Sequence, residues 1–303
     1  MRLTATRTSV TSSGGAVPLT SADFTYGITS AGGVFNLRSS GTVDYEVDWG
    51  DGDVETSTLN VLPHTYAAGD YVLTIDSDDV YGPYFNNVNA DADQITSVAI
   101  GSGADLGTDL TSAWNGANNM TSFVCPFSVT SGVTIMNGTW LNCSGLAAFP
   151  LLDFSDVTQA RYTFSSCSGI TSMPNLDFTS LTNGQGLMLN CSGLTSVPNF
   201  IFSSLVRLDT GFQGCTSLAD VPANLFDNCS SIAAVAFNGT WTNCALTAQS
   251  IENILVSLDT NGATGITLGI GAGTNAAKST WSAAAVTAYD NLIVKGWTIS
   301  FNA

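Results

Sequence analysis

The chain has 303 residues and a formal net charge of −17, because 24 Asp and Glu stand against 7 Lys and Arg. Only 10% of the side chains are charged, against roughly 25% in an ordinary globular domain, and the excess of Asp over Glu favours turns over helices. A potential this negative repels phosphate, so the composition excludes nucleic acids and acidic lipid surfaces as partners.

Residues 1–21 are predicted to form an N-terminal arm. This segment contains Arg2 and Arg7, no acidic residue, and no apolar stretch typical of a secretory signal. We expect Arg2 and Arg7 to dock the arm on an acidic surface of a protein partner. No stretch of the chain approaches the roughly 20 apolar residues of a membrane span, so we also expect no membrane insertion.

Residues 22–93 are predicted to form a β-sandwich domain and a connector, because short strands alternate along them. The passage from Asp48 through Asp51 to Asp53 is a strand that enters an Asp-Gly turn, where positive φ is permitted. Its carboxylates are oxygen ligands of the kind calcium prefers, and Asp76, Asp78 and Asp79 follow in the same region. Such a turn needs no ion and the spacing differs from an EF-hand, so we predict no metal site and keep calcium as the alternative.

The same region resembles the PKD-type immunoglobulin-like domain, whose signature is a W-x-G-D-G-like turn followed by H-T-Y and G-x-Y-x-V. The residues that match it are Trp49, Gly50, Asp51, Gly52, His64, Tyr66, Gly69 and Tyr71. The resemblance implies an antiparallel sandwich. His64 is the only histidine of the chain, and its place in this signature favours a structural role over that of a general base.

Residues 94–245 contain an internal repeat. Successive units are marked by prolines that are each separated by 24 residues, namely Pro126, Pro150, Pro174, Pro198 and Pro222. Apolar positions recur in the same register; for example, Phe154, Phe178, Phe202 and Phe226 all stand four residues after a proline. A repeat of this length predicts stacked units, because only a neighbouring unit can cover the inward side chains.

The cysteines follow the register of the repeat. Cys143, Cys167, Cys191 and Cys215 form a ladder at 24-residue spacing, and Cys125 and Cys229 take positions that are otherwise apolar. No C-x-x-C pair or Cys/His cluster suits zinc. We therefore predict buried free thiols that pack as small apolar groups, rather than disulfides or a metal site.

The repeats resemble those of BspA-like leucine-rich repeat surface proteins. The segments 164–174, FSSCSGITSMP, and 212–218, FQGCTSL, are close to the consensus of that family. The resemblance implies a right-handed solenoid used for adhesion or protein interaction, without catalysis. The outward positions of such units carry small hydroxyl and amide side chains, and we predict an interaction face at Thr171, Ser172, Thr195, Ser196, Asn175 and Asn199.

Residues 246–303 are predicted to form a small α/β cap. Residues 247–250 supply a helix N-cap, Ile251, Ile254 and Leu258 have helical spacing, and residues 282–295 are predicted to form a second helix. Alternating residues at 266–270 and 297–301 indicate strands. The predicted fold class is therefore mainly β: an immunoglobulin-like β-sandwich, then a leucine-rich-repeat-type solenoid, then this cap.

These observations favour a non-enzymatic, surface-displayed binding or structural protein. The sequence has no hydrolase, metalloprotease or nucleotide-binding motif, so we predict no catalytic residues and no cofactor. The missing export signal favours a phage virion component at the virion surface, either a capsid decoration or a receptor-binding fibre. The alternative is a secreted or cell-surface bacterial adhesin whose signal is missing from this chain. Expected partners are virion or cell-surface proteins, or a host surface glycan or protein.

Overall fold

The fold is that of a computed structural model, which describes residues 23–77, 79–86, 90–229, 232–233 and 236–303. The predicted arm, with Arg2 and Arg7, lies outside these residues. Eight strands and two α-helices are present in the described part of the chain. None of its helices combines the length and apolar character needed to cross a bilayer.

The N-terminal part is one six-stranded sheet with the order β3-β2-β4-β1-β5-β6. Strands β1 to β4 pair antiparallel, whereas β5 and β6 pair parallel. β5 and β6 lie within 94–245, so the sheet continues into the repeat region. The strands are β1 (Phe24–Arg38), β2 (Tyr45–Asp48), β3 (Val54–Ser57), β4 (Val61–Ser77), β5 (Ile95–Ile100) and β6 (Ser122–Val124).

The long β1–β4 ribbon bends around its own core. In the first half of β1 the even-numbered Phe24 and Tyr26 are buried, but in the second half it is the odd-numbered Phe35. The change of face follows Gly32 and Gly33, which have φ values of 95° and 138° and can adopt this backbone because they lack a Cβ. Both halves thus cover the same loop: Tyr26 and Phe35 contact the ring of Phe85 at 6.1 and 6.0 Å.

Beyond β6, the repeat units are built from turns and are joined by parallel backbone hydrogen bonds. Trp140 N donates to Thr163 O at 2.9 Å, and Phe164 N to Leu187 O at 2.9 Å. These acceptors lie 23 residues beyond their donors, and the isolated parallel bridges pair equivalent positions 24 residues apart, such as Gln159 with Asn183. We call the units from Leu106 to Cys244 the repeat stack.

The core of the repeat stack consists of columns of equivalent side chains. Phe154 stacks on Phe178 at 5.8 Å, Phe178 on Phe202 at 6.0 Å, and Phe202 on Phe226 at 6.2 Å between ring centroids. A second column includes Trp140, which stacks on its equivalents in the two neighbouring units. Burial of these rings contributes apolar contact between the units.

The C-terminal part closes the repeat stack with two helices and a parallel strand pair. α1 begins after Thr247, whose side chain accepts from Ser250 N, and ends before Gly262. α2 begins after Ser282, whose side chain accepts from Ala285 N. The N-cap before α1 was predicted from the sequence, and the second helix lies within the predicted range 282–295. The elements are α1 (Ala248–Asn261), β7 (Thr267–Ile270), α2 (Ala283–Val294) and β8 (Thr298–Phe301).

The fold class predicted from the sequence is wrong. The predicted two-sheet sandwich is a single continuous sheet, because β1 and β4 stay paired over their whole length and bend at glycines. The repeats also lack the strand of a leucine-rich-repeat-type solenoid: between β6 and α1 the β pairing of the described residues consists of isolated parallel bridges. Recurrent prolines have no N–H to donate to a strand ladder, and residues with positive φ interrupt extended backbone. The result is a mixed fold with a six-stranded sheet and two helices.

Candidate functional site

The predicted interaction face is held together by backbone bonds between units. Thr195 donates both its N–H and its hydroxyl to Thr171 O, each at 3.2 Å. Ala219 N donates in turn to Thr195 O at 3.0 Å. Thr171, Ser172 and Thr195 are exposed and Ser196 is half-buried. The structure thus brings these residues to one surface, where equal side chains repeat at about one strand spacing, roughly 4.8 Å.

Asn175 and Asn199 lie on the other side of the proline in each unit. The side-chain oxygen of Asn175 accepts from Asn199 N at 3.0 Å, and both residues are exposed. The side chains of Ser172, Ser196 and Asn199 make no hydrogen bond to other described residues. Their hydroxyl and amide groups point to solvent with donors and acceptors to spare. The face can therefore bind a polar partner.

Sequence reasoning missed the apolar end of this row. The residue that directly follows the proline is Asn175 or Asn199 in the middle units but Phe127 or Leu151 in the first two. Phe127 is 53% exposed and Leu151 is 52% exposed. The proline register was the signal that could have revealed them, since it places all four residues in equivalent positions. The row thus changes from apolar to polar along the repeat stack.

The Asp-Gly turn brings together three side chains with metal-ligand chemistry. One ligand atom each from Asp51, Asp53 and His64 lies within 4.8 Å of the others. His64 Nε2 contacts Asp51 Oδ2 at 2.7 Å, and the His64 ring stacks on Trp49 with centroids 4.4 Å apart. An ion between these groups would have to displace the His64–Asp51 hydrogen bond. The hydrogen bond to Asp51 and the stacking on Trp49 therefore give His64 a structural role.

The pKa of Asp51 reflects this arrangement. Partial burial acts to raise it, but the hydrogen bonds from His64 and from the backbone N–H of Asp53 outweigh burial and hold the pKa below its usual value. Asp51 is therefore ionised in the folded protein at neutral pH. Its charged carboxylate holds His64 and the turn in place. Tyr66, which is next but one to His64, donates its hydroxyl to Trp49 O at 2.9 Å.

The cysteines are free and buried, as their register predicts. The structure adds a role that sequence reasoning missed: each ladder thiol donates to a backbone carbonyl of the preceding unit. Cys167 Sγ contacts Trp140 O at 2.9 Å, and Cys191 Sγ contacts Phe164 O at 3.0 Å. Burial raises the pKa of Cys244 to about 12, and burial likewise holds the pKa of Cys191 well above its usual value. Such thiols are poor nucleophiles at neutral pH.

An acidic groove of about 890 Å³ lies where β2, β3 and β4 meet. Sequence reasoning did not find it, because β2 and β4 are brought side by side only by pairings such as Glu46 with Asp76. A groove with this charge attracts cations and repels anions. Its carboxylates come from Asp44, Glu46, Asp76 and Asp79.

Comparisons with known proteins gave no match: no family model, no curated protein and no solved structure is similar to this chain. The resemblances to PKD-type domains and to BspA-like proteins therefore stay predictions.

Proposed function

We propose that the protein is a non-enzymatic binding and structural protein displayed on a phage virion, as a capsid decoration or a receptor-binding fibre. The observation that supports it best is the row of uncommitted polar groups at Ser172, Ser196 and Asn199. Backbone hydrogen bonds between units hold this row rigid. Binding of a partner there therefore costs little conformational entropy. The partners proposed are virion or cell-surface proteins, or a host surface glycan or protein.

A charge-and-bulk scan of this face tests the proposal. The triple variant Ser172→Arg, Ser196→Arg and Asn199→Arg places large side chains on exposed or half-exposed positions and should leave the fold intact. The matched control is Ser168→Arg with Ser192→Arg, which changes exposed serines of the same units at the Cys-Ser-Gly position. We expect the triple variant, but not the control, to lose attachment of particles to host cells or of the protein to particles. Full attachment by the triple variant would contradict the proposal.

The alternative function is a secreted or cell-surface bacterial adhesin. The same polar face would then bind a host component. Immunogold imaging of purified particles and of intact bacteria decides between the two functions. Label on particles supports the virion component, whereas label confined to the bacterial surface supports the adhesin.

The arm at residues 1–21 is proposed to attach the protein through Arg2 and Arg7, which lie outside the described residues. Deleting residues 1–21 should release the protein from assembled particles. The matched variant Arg2→Gln with Arg7→Gln should release it to the same extent if charge carries the contact. Continued attachment of both variants would contradict this role for the arm.

A further inference from the structure

A shallow pocket of about 270 Å³ lies on the repeat stack, at a different position of the unit from the Thr171–Asn199 face. Residues of three successive units line it, among them Ser112, Asn137, Leu141, Arg161 and Tyr162. Its volume is slightly below the 300–1,000 Å³ or so that is typical of small-molecule sites. The pocket therefore has room for a single ring-sized group.

Arg161 gives this pocket an uncompensated positive charge. No carboxylate of the described residues lies within ion-pair distance of its exposed guanidinium. The guanidinium stands 6.0 Å from the centre of the Tyr162 ring. In a chain with net charge −17, an arginine without a carboxylate partner is unusual. Among the described residues, Arg38 pairs with Asp91, Arg207 with Asp209 and Lys295 with Asp259, whereas Lys278, like Arg161, lies against an aromatic ring, that of Tyr289.

Tyr162 occupies a position of positive φ that both neighbouring units give to glycine, although Thr210 stands there in the unit after Gly186. The φ of Tyr162 is 54°, and the equivalent residues of the two neighbouring units are Gly138 and Gly186, with φ values of 61° and 62°. A residue with a Cβ is strained in this conformation. The Tyr162 ring lies over Gly186, where an added Cβ would come within 2.4 Å of the ring. Strain of this kind persists where the surroundings enforce it, and it often accompanies a functional role.

The remaining lining groups supply hydrogen bonds and an apolar wall. Asn137 accepts from Arg161 N at 2.9 Å through its side-chain oxygen, which leaves its NH₂ group to donate to a ligand. Ser112 adds a hydroxyl, and Leu141 packs beside Gly138. An aromatic ring, an arginine and short polar side chains around a ring-sized space match a ligand that has a carboxylate, several hydroxyls and an apolar ring face.

We propose that this pocket binds the carboxylate-bearing pyranose of an acidic glycan. Arg161 pairs with the carboxylate, Tyr162 packs against the sugar ring, and Asn137 and Ser112 hydrogen-bond the hydroxyls. The inference names a ligand class for the binding protein proposed above and therefore rests on that function. Two sources share this chemistry, sialic acids and hexuronic acids, and the experiment separates them.

The test is titration of the full-length protein with small sugars, followed by saturation-transfer NMR. The probes are the methyl glycosides of N-acetylneuraminic acid and glucuronic acid, with methyl glucoside and acetate as controls that lack the carboxylate or the ring. We expect weak, millimolar binding of one or both acidic sugars and at least about tenfold weaker binding of both controls. Equal binding of methyl glucoside, or binding of a polyglutamate peptide without either acidic sugar, would overturn the proposal.

Two variants assign the binding to this pocket. Arg161→Gln removes the charge at an exposed position, and Tyr162→Gly places at 162 the residue found at 138 and 186, so both proteins should fold. Each should weaken binding about tenfold, whereas Asn199→Ala, on the other face, should not change it. Unchanged binding by both pocket variants would overturn the proposal. Loss of sugar binding while particle attachment stays intact would leave the proposed function unaffected. The glycan pocket and the proposed function are therefore tested separately.

Discussion

The repeat stack and the N-terminal sheet solve the same packing problem in different ways. In the repeat stack, parallel bridges pair a residue with its equivalent 24 positions away, as Gln159 with Asn183, so columns of like side chains form, such as Phe154 on Phe178. In the sheet, β1 and β4 join residues as distant as Phe24 and Ile75, and each core residue has a unique set of neighbours. The effect of a substitution in the repeat stack can therefore be predicted from the residues at equivalent positions. In the sheet, it can be predicted only from the contacts of the substituted residue itself.

Tryptophan substitutions should show this difference most strongly. Trp140 stacks between Trp114 and Phe164, and its buried indole N–H has no partner among the described residues. Trp140→Ala should lower the free energy of unfolding by about 4 kcal/mol, because it leaves a cavity. Trp140→Phe should lower the free energy of unfolding by only about 1 kcal/mol, since Phe already occupies the equivalent position of the next unit. Guanidinium unfolding followed by circular dichroism measures both.

The matched substitution in the sheet is Trp49→Phe. Trp49 has no equivalent residue, and its Nε1 donates to Glu55 Oε1 at 2.8 Å while its ring stacks on His64. We expect Trp49→Phe to cost about 1–2 kcal/mol more than Trp140→Phe, because a carboxylate loses its hydrogen bond. Equal costs would break the comparison between the two regions.

Glycines of the Cys-Ser-Gly segments allow neighbouring units to approach closely. A Cβ on Gly169 would lie 2.5 Å from Ser144 O and 2.9 Å from Leu146 O. Gly169→Ala should therefore force the units apart and lower the free energy of unfolding by about 2–3 kcal/mol. Gly41→Ala is the control, because its Cβ would meet nothing within 4 Å. A melting temperature that falls equally in both variants would contradict this account.

Thr210 should be a site where a substitution stabilises the protein. It has a φ of 55°, and its equivalents Gly186 and Gly239 have φ values of 62° and 69°. A β-branched residue is strained there by about 1–2 kcal/mol, but glycine loses more chain entropy on folding. Thr210→Gly should thus raise stability by up to about 1 kcal/mol. The reverse change, Gly186→Thr, should be strongly destabilising, because it also collides with Tyr162; calorimetry of both variants checks the signs.

Asp51 should give the smallest effect, seen in the pH dependence of stability. Its folded-state pKa lies below its usual value, so its stabilising contribution is fully present above an unfolded pKa of about 3.9. That contribution is lost as pH falls through the folded-state pKa. Asp51→Asn should therefore be less stable than the unsubstituted protein at pH 7, and the difference should shrink below about pH 4. A constant difference from pH 7 to pH 2 would contradict the stabilisation of the folded state by the Asp51 carboxylate.

The sequence predicted the repeat well because its register is visible as spacing alone. Prolines and phenylalanines at 24-residue intervals indicate stacked units, and the free, buried thiols follow from the same register. The face at Thr171, Thr195 and their neighbours could be predicted for this reason too.

The fold of the N-terminal part could not be predicted in the same way. Alternation along β1 or β4 shows that each is a strand, but not that the two remain paired around a bend at Gly32 and Gly33. The acidic groove and the pocket at Arg161 join residues of different strands or units, and no local pattern marks such contacts. Asn142 and Asn190 lie between these two extremes. Each has a φ near 60°, which asparagine tolerates better than most residues, so a recurrent Asn or Gly in the sequence indicates a position of positive φ.

The parallel bonding between equivalent positions makes the repeat stack a molecular ruler. Each 24-residue unit adds one layer of about 4.8 Å between the six-stranded sheet and the α1–α2 end. Duplication or loss of one unit in the gene would change that distance in equal steps while every column kept its chemistry. The reach of the molecule can therefore evolve separately from what its surfaces bind.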